Sequence, residues 1–160
     1  METRVDLAIR SWVAVDASVE WAFDVFTRDI NDWWPLETHS VRASTGFGPP
    51  DMLHVERWEG GRLYEQTGDE RLKWAEVVAW DPPHRILLEW LVNPQAPPTE
   101  VEVTFTADDE QTRVGVVHSG WEFASGWNLG DSSAESERAR FAGSRGWDWV
   151  LGHYAVAAGG

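Results

Sequence analysis

The chain contains no cysteine among its 160 residues. That absence excludes disulfide bonds, thiolate metal sites and cysteine nucleophiles. Basic residues are also scarce, because 13 lysines and arginines stand against 27 aspartates and glutamates and leave a net charge of −14. Nucleic acids and anionic membrane surfaces are bound through basic patches. The composition therefore predicts no nucleic-acid partner and no membrane partner.

Long apolar segments are absent as well. No run reaches the roughly 18 consecutive apolar residues of a transmembrane helix. Residues 1–6 lack the basic and apolar regions of a signal peptide. A length of 160 residues suits a single domain with a sizeable core. We therefore expect one domain over residues 1–160, located in the cytoplasm.

The spacings of common metal and phosphate sites are missing too. No two of the five histidines are separated as in a short metal-binding motif; they are His39, His54, His84, His118 and His153. Gly46 and Gly48 precede two prolines rather than a helix, which argues against a phosphate-binding loop. We expect no metal site and no obligatory cofactor.

Tryptophan, in contrast, is abundant: the chain has 12, and 42% of its residues are hydrophobic. Two interpretations are open. Tryptophan is large and amphipathic, so it packs in the core and at its rim. Aromatic side chains also line pockets for apolar or planar ligands. The tryptophan content alone does not decide between packing and binding.

The N-terminal part predicts a strand followed by a short helix. Residues 5–15 alternate between apolar and polar side chains, as a strand does. Ser18 can cap a short helix that ends before Pro35. Residues 36–50 show little periodicity and predict a long loop, with a short strand around 40–43 as an option.

Six further strands are predicted at regular spacing, separated by turn signals such as Gly60-Gly61. They cover residues 52–59, 62–67, 72–80, 85–92, 99–106 and 112–119. Short turns between consecutive strands favour an antiparallel meander. Residues 122–130 predict another irregular segment.

The last predicted element is one long helix over about residues 134–157, capped by Asp131 or one of the two serines after it. One face carries an apolar stripe at helical spacing, made by Gly143, Trp147, Val150, Leu151, Tyr154 and Ala158. Gly143 interrupts this stripe and Gly146 lies nearby, and each glycine costs roughly 1 kcal/mol against alanine. We infer that space is needed beneath the helix at Gly143. A twisted sheet curled around the helix would leave such a space.

Several short motifs follow one another along the chain in an order and spacing that are characteristic of a known protein family. They are Val13–Val15, Val19–Phe23, Trp33–Pro35, Gly60–Arg62, Pro82–Ile86, Thr99–Phe105, His118–Trp121, and Gly146–Trp147 with Val150–Leu151. In these motifs the chain resembles the activator of Hsp90 ATPase homologue 1-like (AHSA1) family of the START / Bet v 1-like (SRPBCC) superfamily. The resemblance implies an α+β helix-grip fold. In that fold a curved antiparallel sheet of about six or seven strands surrounds a long C-terminal helix, with a short N-terminal helical segment.

The resemblance also implies a cavity, because relatives in the superfamily bind lipids, hormones or polyketides, and some are cyclases. It provides no family-wide catalytic motif. The namesake's role on a chaperone belongs to a longer protein with another domain.

The residues predicted to line the cavity and bind a ligand are mostly aromatic: Trp33, Trp34, Trp74, Trp90, His118, Trp121, Gly143, Trp147 and Tyr154. His118 shares a strand face with Val114 and Val116, so it points into the cavity if that face is concave. The alternative is a hydrogen-bonded or exposed histidine near a strand end. For acid/base catalysis the candidates are His118 and Glu76.

Three functions are compatible with these observations. The leading hypothesis is a soluble small-molecule-binding protein with an internal, tryptophan-lined hydrophobic cavity for an apolar or aromatic, lipid- or polyketide-like ligand. The second is a cofactor-independent cyclase, dehydratase or hydrolase that acts on a polyketide-like substrate. The third is a chaperone-associated interaction module. A homodimer is left open.

Overall fold

The computed structural model describes residues 7–91, 98–121, 138–139 and 141–159. Five sequence predictions fall partly or wholly outside these residues. They are the start of the first strand, the end of the strand at 85–92, the irregular segment 122–130, the cap of the long helix at residues 131–133 and the first turn of that helix.

A single sheet of seven antiparallel strands forms most of the molecule, in the order β1-β7-β6-β5-β4-β3-β2. The strands are β1 Ile9–Val15, β2 Met52–Val55, β3 Arg62–Thr67, β4 Glu70–Asp81, β5 Arg85–Trp90, β6 Thr99–Asp108 and β7 Gln111–Ser119. From β2 to β7 every strand pairs with its neighbour in sequence. The predicted meander is therefore confirmed, and β1 joins it beside β7.

The sheet buries one face, and strands β6 and β7 show this most clearly. Val101, Val103 and Phe105 of β6 are buried, whereas Glu102 and Thr104 between them are not. In β7 the same alternation buries Thr112, Val114, Val116 and His118. Because side chains alternate with period two, one buried position fixes the whole face. His118 therefore lies on the concave face with Val114 and Val116, a question that the sequence left open.

Three short helices connect β1 to β2. Helix α1, Val19–Thr27, begins at Ser18, whose hydroxyl accepts a hydrogen bond from the backbone N–H of Trp21 at 3.1 Å. Helix α2 spans Ile30–Trp33. Helix α3, Val41–Ser44, lies within the predicted loop, where a short strand was the option.

The optional strand at 40–43 is therefore wrong. Ser40 is extended and its side chain accepts a hydrogen bond from the backbone of Ala43, which starts α3 instead. A one-turn helix of this kind has no periodicity to read, so its sequence resembled a loop.

Helix α4, Trp147–Ala158, covers the concave face. It buries Trp147, Val150, Leu151, Tyr154 and Ala158, which confirms the predicted stripe from Trp147 onward. The hydroxyl of Ser11 in β1 donates a hydrogen bond to Asp148, which ties the start of α4 to the sheet. Within the described residues, none of the helices combines the length and hydropathy needed to cross a membrane.

The prediction of one continuous helix over 134–157 is wrong at residues 143–146. Gly146 has a non-helical backbone, with φ −84° and ψ −143°, and forms the N-cap of α4. Gly143 is exposed rather than part of the buried stripe. The two glycines that looked costly inside a helix thus separate α4 from the residues before it. Residues 122–137 lie outside the described part of the chain.

Candidate functional site

A cavity of about 430 Å³ lies between the start of α4 and the concave face of the sheet. Its apolar walls are aromatic and aliphatic: Trp34, Trp74, Trp90, Phe141, Trp147, Val41 and Val150. Its polar lining is formed by Thr38, His39, Ser40 and Arg145, together with the backbone of Gly146. The cavity is therefore an apolar space with polar groups contributed by two loops.

Four indole rings form a closed circuit around this cavity. Trp34 contacts Trp74 with ring centroids 5.4 Å apart, and Trp74 contacts Trp90 at 6.2 Å. Trp90 contacts Trp147 at 5.9 Å, and Trp147 returns to Trp34 at 5.9 Å. All four contacts are edge-to-face, the arrangement that the charge distribution of aromatic rings favours. We call these four residues the indole ring.

Three members of the indole ring have their N–H groups bonded to the protein. Trp34 donates to the backbone carbonyl of His39 at 2.7 Å. Trp74 donates to the carboxylate of Glu65 at 2.7 Å, and Trp147 donates to Nδ1 of His118 at 3.1 Å. The N–H of Trp90 is buried and has no hydrogen-bond partner among the described residues. An unpaired buried donor of this type costs roughly 1–3 kcal/mol.

Glu65 supports the indole ring from behind Trp74. Its side chain is 1% exposed. Besides the bond from Trp74, its carboxylate accepts the backbone N–H groups of Val41 at 2.6 Å and Arg42 at 3.2 Å. These two N–H groups lie at the start of α3, where backbone donors have no partner within the helix. Glu65 thus fixes both a wall of the cavity and the loop beside it.

His118 supports the indole ring from behind Trp147. It is fully buried, and its Nε2 lies 2.7 Å from the hydroxyl of Thr99. Burial lowers the pKa of His118 from 6.5 to about 3, because a charged imidazole would lose its hydration. The ring is therefore neutral at physiological pH. Trp121 lies against it at 4.4 Å and donates its N–H to the carbonyl of His118.

Two loops meet at the polar side of the cavity. Nε2 of His39 lies 2.6 Å from the backbone carbonyl of Arg145, and a carbonyl only accepts, so His39 is the donor. The imidazole also stacks on Trp149 of α4 with centroids 4.8 Å apart. These contacts connect the loop after α2 to the turn before α4.

The nine predicted ligand-binding residues occupy four different places. Four of them, Trp34, Trp74, Trp90 and Trp147, line the cavity. His118 and Trp121 form the layer behind it. Trp33 and Tyr154 pack together in the core with centroids 5.2 Å apart, and Gly143 is exposed. Contact between any of these residues and a ligand stays a prediction.

The catalytic pairing of His118 with Glu76 does not match the geometry. The side chain of Glu76 is 44% exposed and forms an ion pair with Lys73 at 3.1 Å. His118 is fully buried on the concave face. The two groups do not share a cavity, and both ring nitrogens of His118 already have protein partners. Among the described residues, no group of three His, Asp or Glu side chains could hold a metal ion.

The sequence did not single out several lining residues of the cavity, among them His39, Phe141, Arg145 and Gly146, nor Glu65, which supports Trp74 from behind. In the sequence Glu65 is one polar residue among the apolar neighbours of a strand. The register between β3 and β4 shifts between Leu63 and Tyr64, and the extra residue of this bulge is Trp74 in β4. In β3 itself Leu63, Tyr64 and Glu65 are buried in succession. Apolar side chains therefore occupy both faces of β3 at this point, and alternation could not assign Glu65 to a face.

Comparison with known proteins identifies a family. A family model described as "Activator of Hsp90 ATPase homolog 1-like protein" matches residues 16–148. None of the curated protein sequences compared with the chain matches it.

Solved structures share the fold. Txn09, an anthrahydroquino-γ-pyrone synthase, is 29% identical, with a TM-score of 0.58 over 94% of this chain and 96% of its own. CalC from Micromonospora echinospora, a self-sacrificing resistance protein, is 22% identical, with a TM-score of 0.66 over 96% of this chain and 94% of its own. CalU16 from the same organism is 18% identical, with a TM-score of 0.61 over 94% of this chain and 75% of its own.

Proposed function

The chain belongs to the activator of Hsp90 ATPase homolog 1-like family, and we propose that it binds a planar aromatic small molecule in the cavity beneath α4. The observation that carries the proposal is the indole ring around a cavity of about 430 Å³. Ligand sites in proteins have volumes of roughly 300–1,000 Å³, and apolar and aromatic side chains usually line them.

The chemistry of the lining indicates the kind of ligand. Indole faces and edges favour aromatic rings through offset or edge-to-face contacts, each worth roughly 0.5–1.5 kcal/mol beyond burial. Among the described lining residues, the hydrophilic side chains are those of Thr38, His39, Ser40 and Arg145, which belong to the two loops. A fused-ring system with oxygen substituents at one end fits this separation of apolar and polar lining. Txn09, which is 29% identical to this chain, is an anthrahydroquino-γ-pyrone synthase, and this supports a ligand of the same oxygenated, polycyclic type.

A fluorescence titration tests the proposal directly. Anthraquinone-2-sulfonate is a soluble planar probe, and it is expected to quench the tryptophan emission with saturation at micromolar concentration. Decanoate, which is apolar but not planar, is expected to bind more weakly. A wild-type protein that saturates with neither compound, or that prefers decanoate, would contradict the proposal.

Two valine variants provide a matched pair for the same titration. Val150 lines the cavity and is 3% exposed, whereas Val156 is on the same helix and is 78% exposed. Val150→Phe should occupy the cavity and lower the affinity for the probe at least about tenfold. Val156→Phe should leave the affinity unchanged. Equal affinities in the two variants would place the probe elsewhere on the protein.

The other two hypotheses have less support. The enzyme hypothesis relied on His118 and a strand glutamate, and Glu76 is on the outside of the sheet. The hypothesis of an interaction module called for side chains that fill the gap between sheet and helix, and that gap holds the cavity. We therefore propose ligand binding and assign no reaction.

A further inference from the structure

We propose that His118 is a positioning residue, which holds the indole of Trp147 in the orientation that the cavity presents to its ligand. This inference deepens the proposed function and rests on it. Three side chains form a chain of hydrogen bonds, from Trp147 through His118 to Thr99. His118 does not line the cavity, so it acts through Trp147.

The chain of hydrogen bonds fixes the proton on His118. An indole N–H only donates, so Nδ1 of His118 must carry a lone pair to accept from Trp147 at 3.1 Å. A neutral imidazole then carries its proton on Nε2. That N–H donates to the hydroxyl oxygen of Thr99 at 2.7 Å. A single tautomer satisfies both bonds, and the other tautomer would bring two donors together at Trp147.

Aromatic neighbours hold the imidazole in place, so it presents Nδ1 at a fixed point. Its ring centroid lies 4.4 Å from that of Trp121 and 4.8 Å from that of Phe141. The carbonyl of His118 accepts the N–H of Trp121 at 3.1 Å, which links the backbone to the same layer. The acceptor for Trp147 is therefore rigid on both sides.

The bond to His118 selects one orientation of the Trp147 ring. The torsion between Cβ and an aromatic ring is broad and roughly two-fold, so an indole has alternative placements of its N–H edge. Trp147 begins α4, and the cavity lies between its ring and those of Trp34 and Trp90. Because His118 holds the N–H edge, the indole presents its hydrocarbon edge, which carries no hydrogen-bonding group, to the ligand.

An alternative is that His118 only fills space in the aromatic layer. The two roles predict different variants. His118→Phe keeps an aromatic ring of similar size but removes the acceptor, whereas His118→Asn places an amide oxygen near the position of Nδ1 and fills less space. If the acceptor matters, asparagine is the better substitute. If only volume matters, phenylalanine is.

Binding of anthraquinone-2-sulfonate to the two variants decides between these roles. We expect His118→Phe to bind the probe about tenfold more weakly than wild type, the loss that corresponds to one hydrogen bond. We expect His118→Asn to stay within about threefold. Equal losses in the two variants, or unchanged binding in His118→Phe, would overturn the proposal.

Nitrogen-15 NMR of the ligand-free wild type provides a readout that does not depend on binding or on the variants folding. The expected result is an unprotonated Nδ1 on His118, a protonated Nε2, and a scalar coupling across the hydrogen bond from the Trp147 indole. A protonated Nδ1 would overturn the positioning role even if the probe binds. Failure of the probe to bind, with the expected tautomer present, would instead count against the proposed function.

Discussion

Trp74 donates its indole hydrogen to Glu65 across 2.7 Å, and the same carboxylate accepts the backbone N–H groups that begin α3. One buried side chain in β3 thus joins the wall of the cavity to the loop beside it. A carboxylate is suited to this position because it only accepts, and all three of its partners are donors.

Replacing that carboxylate is expected to destabilise the fold. Glu65→Gln brings an amide NH₂ group to a place where only acceptors fit, and its free energy of unfolding should fall by about 2 kcal/mol. Glu76→Gln is the matched control, because Glu76 is half-exposed and its ion pair with Lys73 is worth less than about 1 kcal/mol. Urea denaturation of both variants measures the difference. Equal stabilities would show that the hydrogen bonds of Glu65 contribute little.

The indole ring allows a second comparison, in which the indole N–H group is removed at three positions by replacing tryptophan with phenylalanine. Trp74→Phe removes one of the three donors to Glu65, and Trp147→Phe removes the donor to Nδ1 of His118. Trp90→Phe removes an N–H that has no partner among the described residues. All three lose similar volume. We expect Trp90→Phe to be more stable than the other two by about 1 kcal/mol. Denaturant midpoints of the three variants measure this order of stability. The prediction would be refuted if Trp90→Phe were the least stable of the three.

The buried histidine predicts a pH dependence of stability. The pKa of His118 falls from 6.5 to about 3 in the folded state, so between these values the unfolded chain binds one proton more. Stability from this group is fully present above pH 6.5 and decreases as the pH falls toward 3. The slope is about 1.4 kcal/mol per pH unit, which gives a loss of about 2 kcal/mol between pH 6.5 and 4.5.

His118→Asn is the reference for this measurement. The many carboxylates of the chain titrate in the same range, and they contribute nearly equally to both proteins. The difference in unfolding free energy between wild type and His118→Asn should therefore decrease in acid. A difference independent of pH would mean that the histidine is protonated when folded.

Gly143 provides a test of the corrected C-terminal geometry. In a continuous helix, a larger residue at 143 would have filled the space beneath it and blocked a ligand. Gly143 is instead exposed, and an added Cβ would meet the backbone oxygen of Ala139 at 3.0 Å and no other atom of the described residues within 4 Å. Gly143→Ala is expected to leave probe affinity within about twofold of wild type, with a small change in stability. A loss of probe affinity comparable to that of Val150→Phe would contradict this prediction and indicate that Gly143 belongs to the binding site.

The sequence predicted the elements whose pattern is local and repeated. Strands β6 and β7 alternate cleanly because one face is buried and the other is exposed to solvent. The alternation put His118 on the same face as Val114 and Val116 but left open whether that face is the concave one. The stripe from Trp147 to Ala158 was correct for the same reason, with the period of a helix.

What could not be predicted depends on partners distant in sequence. Helix α3 begins where the carboxylate of Glu65, more than 20 residues later, accepts its first N–H groups. The buried position of Glu65 could not be inferred either, because Leu63, Tyr64 and Glu65 are buried in succession and β3 shows no simple alternation there. The break in the final helix at residues 143–146 was not predicted either. Local periodicity does not distinguish a glycine that is tolerated in a helix from one that ends it.

The indole ring has an optical consequence. Its transition dipoles are held 5.4–6.2 Å apart around a closed circuit, in fixed edge-to-face geometry. Excitations at such separations are shared between neighbours, so the folded chain should show an exciton couplet in its circular dichroism that denatured protein lacks. A molecule that displaces any one of the four rings would change the signal of the whole circuit. The protein thus contains a built-in chromophore that reports the state of its own interior.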